Sequence, residues 1–233
     1  MPSLPWPPDD QHRRETTMRI GILGTGTLAA ALAEGWARAG HEVVVGGRSP
    51  AKARELADRL GPNVRAAASS EVVAGRDAVL LAVSWDGAED MLKAAGASGG
   101  ALAGTPLIDP TNPVEHGVGA LLTGHGESMA ERIAGLAPGA HVVKAFHLFP
   151  SVQWTTPQDH GETPVTVAMC GDDPAALDVV GELVRAVGGR PAVLGPLDRA
   201  RQLEETAGFV IGLVFAGHDP ASAVPRVPAG STP

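Results

Sequence analysis

The stretch Gly24-Thr25-Gly26-Thr27-Leu28-Ala29 sets two glycines and an alanine at the spacing G-x-G-x-x-A. That spacing alone is common in glycine-rich loops. Here it follows an apolar run, Arg19-Ile20-Gly21-Ile22-Leu23, and opens an alanine-rich helical stretch. A strand, a tight turn and a helix start, in that order, form a binding place for a dinucleotide pyrophosphate. Gly24 permits the turn, Gly26 lets the backbone approach the phosphates, and Ala29 lets the helix pack closely on the strand. The amides that open the helix face the anion, and the helix dipole favours it.

The second strand of such a unit tells which dinucleotide fits. NAD sites place a carboxylate at its end, about 20 residues past the turn, to hold the ribose hydroxyls. This strand ends Val45-Gly46-Gly47-Arg48-Ser49, and Glu42 lies too early. Arg48 offers charge-assisted hydrogen bonds to a 2′-phosphate. Ser49 adds a hydroxyl and a helix start, and Lys52 a second cation one turn later. These residues read as a site for NADP(H).

Three further loops should gather at the same carboxyl edge of a parallel sheet. They carry Ser84-Trp85-Asp86, Asp109-Pro110-Thr111-Asn112-Pro113 and Phe146-His147-Leu148-Phe149-Pro150. Trp85 either walls off a ring or packs on the next helix. Asn112 either bonds a carboxamide or simply shapes a Pro-flanked turn. His147 stands where a ring ligand should arrive and is the candidate catalytic residue; a structural histidine is the competing reading. Phe149 and Pro150 offer an apolar wall. The remaining histidines are scattered, without H-E-x-x-H or a Cys/His cluster, so no metal site is expected. No G-x-S-x-G nucleophile motif occurs either.

The elements that must position these residues follow an alternating rhythm. Strands are expected near 19–23, 42–45, 64–67, 77–83, 106–109 and 141–145. Helices are expected at 27–39, from Ser49-Pro50 onward, and near 69–75, 87–95 and 127–136. After Pro150 the rhythm restarts with strand 164–170, helix 174–187, strand 192–194 and helix 198–216. The fold class is therefore α/β: a doubly wound Rossmann-type parallel sheet with a small C-terminal β-α-β-α extension. The expected divisions are a disordered extension over 1–17, a Rossmann domain over 18–150, a C-terminal subdomain over 151–217 and a disordered tail over 218–233. The small C-terminal unit should pack on the first sheet and form one wall of a cleft.

Bulk properties narrow the partners. The 233 residues carry a formal charge of -8, and a general nucleic-acid binder would need a basic surface. The longest apolar run, 207–217, is too short for a membrane span, which needs about 20 residues. No secretory leader is visible, and the lone Cys170 suits a reducing compartment as a small buried residue. A cytoplasmic protein is expected.

The combination of strings resembles the coenzyme F420-dependent NADP oxidoreductases. The strings are Met18-Arg19-Ile20, Gly24-Thr25-Gly26, 40–48, Val142-Val143-Lys144-Ala145-Phe146-His147, Cys170-Gly171-Asp172-Asp173, Pro196-Leu197 and Arg201-Gln202-Leu203-Glu204. The resemblance runs from Met18 to about Ala216. It implies hydride transfer between NADP(H) and a 5-deazaflavin ring. It would put Thr25, Gly26, Thr27 and Leu28 on the pyrophosphate and Arg48 and Lys52 on the 2′-phosphate. Ser84 and Trp85 would line the cofactor. His147, Phe149 and Pro150 would lie where the two rings meet. It also implies a homodimer. Gly47 departs from a serine that often stands there, and nothing after Ala216 matches the segment that helps close the archaeal deazaflavin pocket.

Hydride transfer needs two rings face to face with reacting carbons about 3–3.5 Å apart, and little acid-base help. A chain with no evident nucleophile or base suits that reaction. The same sparse chemistry fits an NADPH-dependent reductase of a small imine or carbonyl, with His147 as proton donor. It also fits a non-catalytic NADP(H)-binding protein.

Overall fold

In the computed structural model, residues 17–155 and 164–225 are described. Residues 1–16 of the expected extension over 1–17, and 226–233 of the expected tail, lie outside the described residues. Alternation of buried side chains along the central strands builds the core. In β1 (Arg19–Leu23), Ile20 and Ile22 point to one face and Leu23 to the other. β4 (Ala78–Leu81) and β5 (Pro106–Asp109) divide their side chains in the same way, and all are buried. Burial on both faces is the signature of a central parallel sheet.

The remaining strands are β2 (Glu42–Gly46), β3 (Val64–Ala66), β6 (His141–Lys144), β7 (Thr166–Gly171) and β8 (Arg190–Val193). They join one eight-stranded sheet in the order β3-β2-β1-β4-β5-β6-β7-β8. The protein is thus an α/β molecule of Rossmann type with a mostly parallel sheet. The order reverses between β1 and β4, and the crevice at such a switch point is where ligands bind in this architecture.

One face is covered by α1 (Thr27–Arg38), α2 (Pro50–Leu60) and α6 (Pro174–Ala186). Trp36 lies fully buried there, and its indole N–H donates to Leu183 O at 2.9 Å, tying α1 to α6. The other face is covered by α3 (Ser69–Val73), α4 (Ala88–Ala94), α5 (Met129–Leu136) and α7 (Ala200–Phe215). Cys170 is buried in that layer, where burial pushes its thiol up to about 12.

Two local differences from the sequence expectation have plain causes. β7 pairs antiparallel with β6, whereas the rhythm suggested parallel strands throughout. A parallel return needs a crossover, usually a helix. Among the described residues of this connection only the 3-10 turn Ser151–Trp154 is helical. β8 begins at Arg190 rather than 192 and includes Pro191. It closes the sheet edge, where a residue without an N–H is tolerated. Through β7 and β8 the C-terminal segment continues the sheet of the preceding residues. Pro220–Ala223 adds a 3-10 turn within the expected tail.

Candidate functional site

The turn after β1 is held by backbone contacts. Gly24 adopts φ +141°, a conformation that favours glycine, and its N–H donates to Gly46 O at 2.7 Å. A Cβ at Gly24 would sit 2.0 Å from Ala82 O, so the turn is pressed against the end of β4. Gly26 differs. Its φ is -80°, and a Cβ there would meet nothing within 4 Å. Neither backbone conformation nor packing demands glycine at that position; the space it leaves opens into a groove. Gly26 also caps α1 without any side-chain hydrogen bond, so the first amides of the helix keep their capacity for an anion.

That groove measures about 440 Å³. Gly24, Thr25, Gly26, Thr27 and Leu28 line it, together with Gly47, Arg48, Ser49 and Lys52. Ala82, Val83, Ser84, Met91 and Pro110 complete it. Ser49 caps α2, its Oγ accepting from the Lys52 N–H at 3.3 Å, which leaves the hydroxyl hydrogen to donate elsewhere. The Arg48 and Lys52 side chains are exposed. A cleft with an open helix start at one end and two cations at the other fits a pyrophosphate with a further phosphate.

At the ends of β5 and β6 the chain builds a second cluster. Phe146 adopts φ +60°, uncommon for a side chain of its size. Its ring is fixed edge-on between Trp36 and Trp154, at 6.0 and 5.3 Å, and Phe149 also packs edge-on against Trp154 at 5.9 Å. This packing offsets the backbone cost and turns the chain into His147. The His147 ring is buried, and neither ring nitrogen has a hydrogen-bond partner among the described residues. Burial, assisted by the nearby Lys144 ammonium, lowers its pKa to about 3, so the imidazole is neutral at ordinary pH. Its backbone oxygen accepts from Asn112 Nδ2 at 2.6 Å, while the buried Asn112 Oδ1 has no partner there. Buried polar atoms are ordinarily satisfied, yet in this cluster four have no partner among the described residues: His147 Nδ1 and Nε2, Asn112 Oδ1 and Trp154 Nε1.

Beneath this cluster lies a fully buried ionic triad. Asp109 and Lys144 are register partners across β5 and β6, and Lys144 Nζ donates to Asp109 Oδ2 at 3.0 Å. It also donates to Glu204 Oε1, on α7, at 2.9 Å and to Thr111 O. The surplus negative charge is compensated by N–H and O–H donors. Glu204 accepts from Met129 N and Ala130 N at the start of α5, and Asp109 accepts from Thr111 N and Oγ1. Asp109, Lys144 and Glu204 all have 0% exposure.

Every expected residue of the nucleotide half, from Gly24 to Leu28 with Arg48, Ser49, Lys52 and Ser84, faces one groove. Trp85 lies beside it in a 3-10 turn and packs against the core of the adjoining layer. Asn112 and His147 share the second cluster, which Phe149 joins through Trp154. Pro150 is exposed and opens the turn that carries Trp154. Sequence reasoning passed over the triad. Its signal was a lysine inside the apolar run Val142-Val143-Lys144-Ala145. Among the described residues no group of His, Cys, Asp and Glu could hold a metal, and no helix is long and apolar enough to cross a membrane.

Residues 19–113 match the family described as "NADP oxidoreductase coenzyme F420-dependent". The F420-dependent NADP reductase of Methanothermobacter marburgensis is 28% identical over 214 residues, covering 84% of this chain and 92% of that protein. Metalloreductase STEAP3 of Rattus norvegicus is 32% identical over 186 residues, but the chain spans only 36% of that protein's length. A crystal structure of a candidate F420-dependent NADP reductase from Arthrobacter sp. FB24 superposes with a TM-score of 0.75 at 30% identity, covering 86% of this chain and 96% of that one. The chain belongs to the coenzyme F420-dependent NADP oxidoreductase family.

Proposed function

We propose that this NADP-dependent oxidoreductase exchanges hydride between NADP(H) and the deazaflavin ring of coenzyme F420. The observation that carries the reading is the pairing of the phosphate groove with an apolar, ligand-ready cluster at His147. When bound, the nicotinamide supplies or receives the hydride and the deazaflavin is its counterpart. The residues bind, orient and exclude water. Thr25, Gly26, Thr27 and Leu28 take the pyrophosphate, and Arg48, Ser49 and Lys52 the 2′-phosphate. Ser84 and Trp85 border the cofactor along the β4 loop. Asn112 Oδ1 is free to accept from a carboxamide N–H. Phe149 and Pro150 wall the ring.

His147 acts as a neutral hydrogen-bonding group. One ring nitrogen carries a hydrogen and the other is bare, so it can bond a planar heterocycle at its edge. With its pKa lowered to about 3, it has no spare proton to give near neutral pH.

Rapid mixing of the purified chain with NADPH and oxidised F420 should bleach the deazaflavin absorbance. Arg48→Ala should weaken NADPH by about tenfold to a hundredfold, the loss of a charge-assisted contact, and leave NADH nearly unchanged. Equal weakening of both nucleotides would remove the phosphate assignment. Consumption of NADPH by an imine or ketone, without bleaching, would favour the small-substrate reductase. Nucleotide binding without reduction of any acceptor would favour a binding protein.

The reading extends to a cytoplasmic homodimer. Leu203 and Ala207 bury one side of α7, yet Phe209, Val214 and Phe215 on its C-terminal half are exposed, as are Val118 and Leu122. Apolar residues around a helix call for burial on both sides, and a second copy supplies the matching surface. Sedimentation of the full chain should show a dimer that Phe209→Asp converts to monomer. A monomeric wild type at tens of micromolar would exclude it.

A further inference from the structure

The buried triad stands at the point where β5 and β6 hand over to the loops bearing Asn112 and His147. A buried ion pair is weak evidence for stability as such, because apolar residues of similar volume often do as well or better. Its wiring is more informative. Lys144 holds Thr111 by its carbonyl, and Asp109 Oδ1 holds the same residue by its N–H at 2.8 Å and its hydroxyl at 2.7 Å. Thr111 is buried and gripped at three points. The next residue, Asn112, donates to the His147 backbone oxygen, and its own Oδ1 is left for a ligand. On the far side Lys144 is fixed by Glu204, whose carboxylate is in turn seated on the amides of Met129 and Ala130.

We infer that Lys144, with Asp109 and Glu204, is a positioning group that fixes Asn112 and, through it, His147 at the ring end of the site. The inference rests on the proposed meeting of two rings there, but it makes a separate statement about this chain. The position of the ligand-ready atoms is set by buried charge contributed from α7, a helix that does not line the phosphate groove. Reacting rings tolerate little displacement: a misplacement of about 1 Å can cost on the order of a hundredfold in rate.

Glu204→Gln tests this with little disturbance. Gln Oε1 can still accept from Lys144 and Ala130, and Lys144 keeps Asp109. In the full chain without ligand, amide exchange should quicken at 111–114 and 147–149, while 24–30 and the NADPH affinity stay within about twofold of wild type. Hydride transfer to F420 should fall about tenfold or more at saturating NADPH. Asn112→Ala should slow it similarly, and the double variant should be no slower than the slower single, because both act along one path. Unchanged exchange at 111–114 and 147–149 would overturn the inference. So would a double variant whose loss is the product of the singles, or an NADPH affinity that falls in step with the rate. Should Glu204→Gln fail to fold, Thr111→Val, which removes only the hydroxyl that Asp109 accepts, is read in the same way. A wild type that reduces no deazaflavin would defeat the ring reading, while the exchange measurement still decides the positioning.

Discussion

Lys144→Met should cost about 3–5 kcal/mol of folding stability, the expected result of removing one partner from a buried ionic cluster. The substitution keeps length and apolar character along the β6 side chain, so packing loss is small. What remains is Asp109 and Glu204, both with 0% exposure, facing each other across the place of the lost cation. Their N–H and O–H donors, Thr111 on one side and Met129 and Ala130 on the other, do not neutralise two charges. Urea unfolding of the two proteins checks the loss. A loss under about 1 kcal/mol would mean that water or local rearrangement already solvates the triad.

Acid should destabilise the wild-type protein through His147. His147 titrates near 6.5 when unfolded and only at about 3 when folded. Its folded-state pKa is depressed, so the unfolded chain binds more protons throughout that interval. The stability of the neutral buried ring is therefore fully present above about pH 6.5 and is lost as pH falls toward 3. Between about pH 7.5 and 4.5 the loss should reach roughly 2–3 kcal/mol, from the 1.36 kcal/mol that accompanies each pH unit. Asp77 and Glu127, whose carboxylates are held below their usual range by Arg19 and Arg132, add their own losses only at lower pH. His147→Asn keeps the backbone oxygen that Asn112 holds and removes the ring. Its stability should be nearly flat over the upper part of that interval. An equal slope in both proteins would show that the imidazole is solvated and free to protonate.

The groove that the expected nucleotide residues line was legible because its parts are local. Gly24, Gly26, Arg48, Ser49 and Lys52 belong to one β-α-β unit, where each residue type at its spacing has a single physical use. The absence of a carboxylate at the end of β2 was as informative as the arginine that follows it. The cluster at His147 resisted reading for a reason visible in the triad. Lys144 makes sense only when strand register brings Asp109 opposite it and α7 delivers Glu204 from 60 residues away. No local pattern encodes that meeting. The antiparallel turn into β7 was hidden likewise, since a strand's direction depends on its connection and not on its own composition. His147 itself was noticed, but its burial and neutrality follow from Phe146, Trp154 and Lys144, which only the fold assembles around it.

The separation between these halves bears on the order in which the chain can acquire its parts. The Gly24 N–H to Gly46 O bond closes a short loop, whereas the bonds of Lys144 to Asp109 and Glu204 close loops of 35 and 60 residues, and those of Glu204 to α5 loops of 74 and 75. Loop closure grows costlier with length, and domains emerge from the ribosome N-terminal end first. During synthesis the turn at Gly24 can therefore be in place while α7 is still being made. The cluster of Asn112 and His147 gains its full set of buried contacts only when Glu204 arrives, which makes α7 the element whose docking completes the triad.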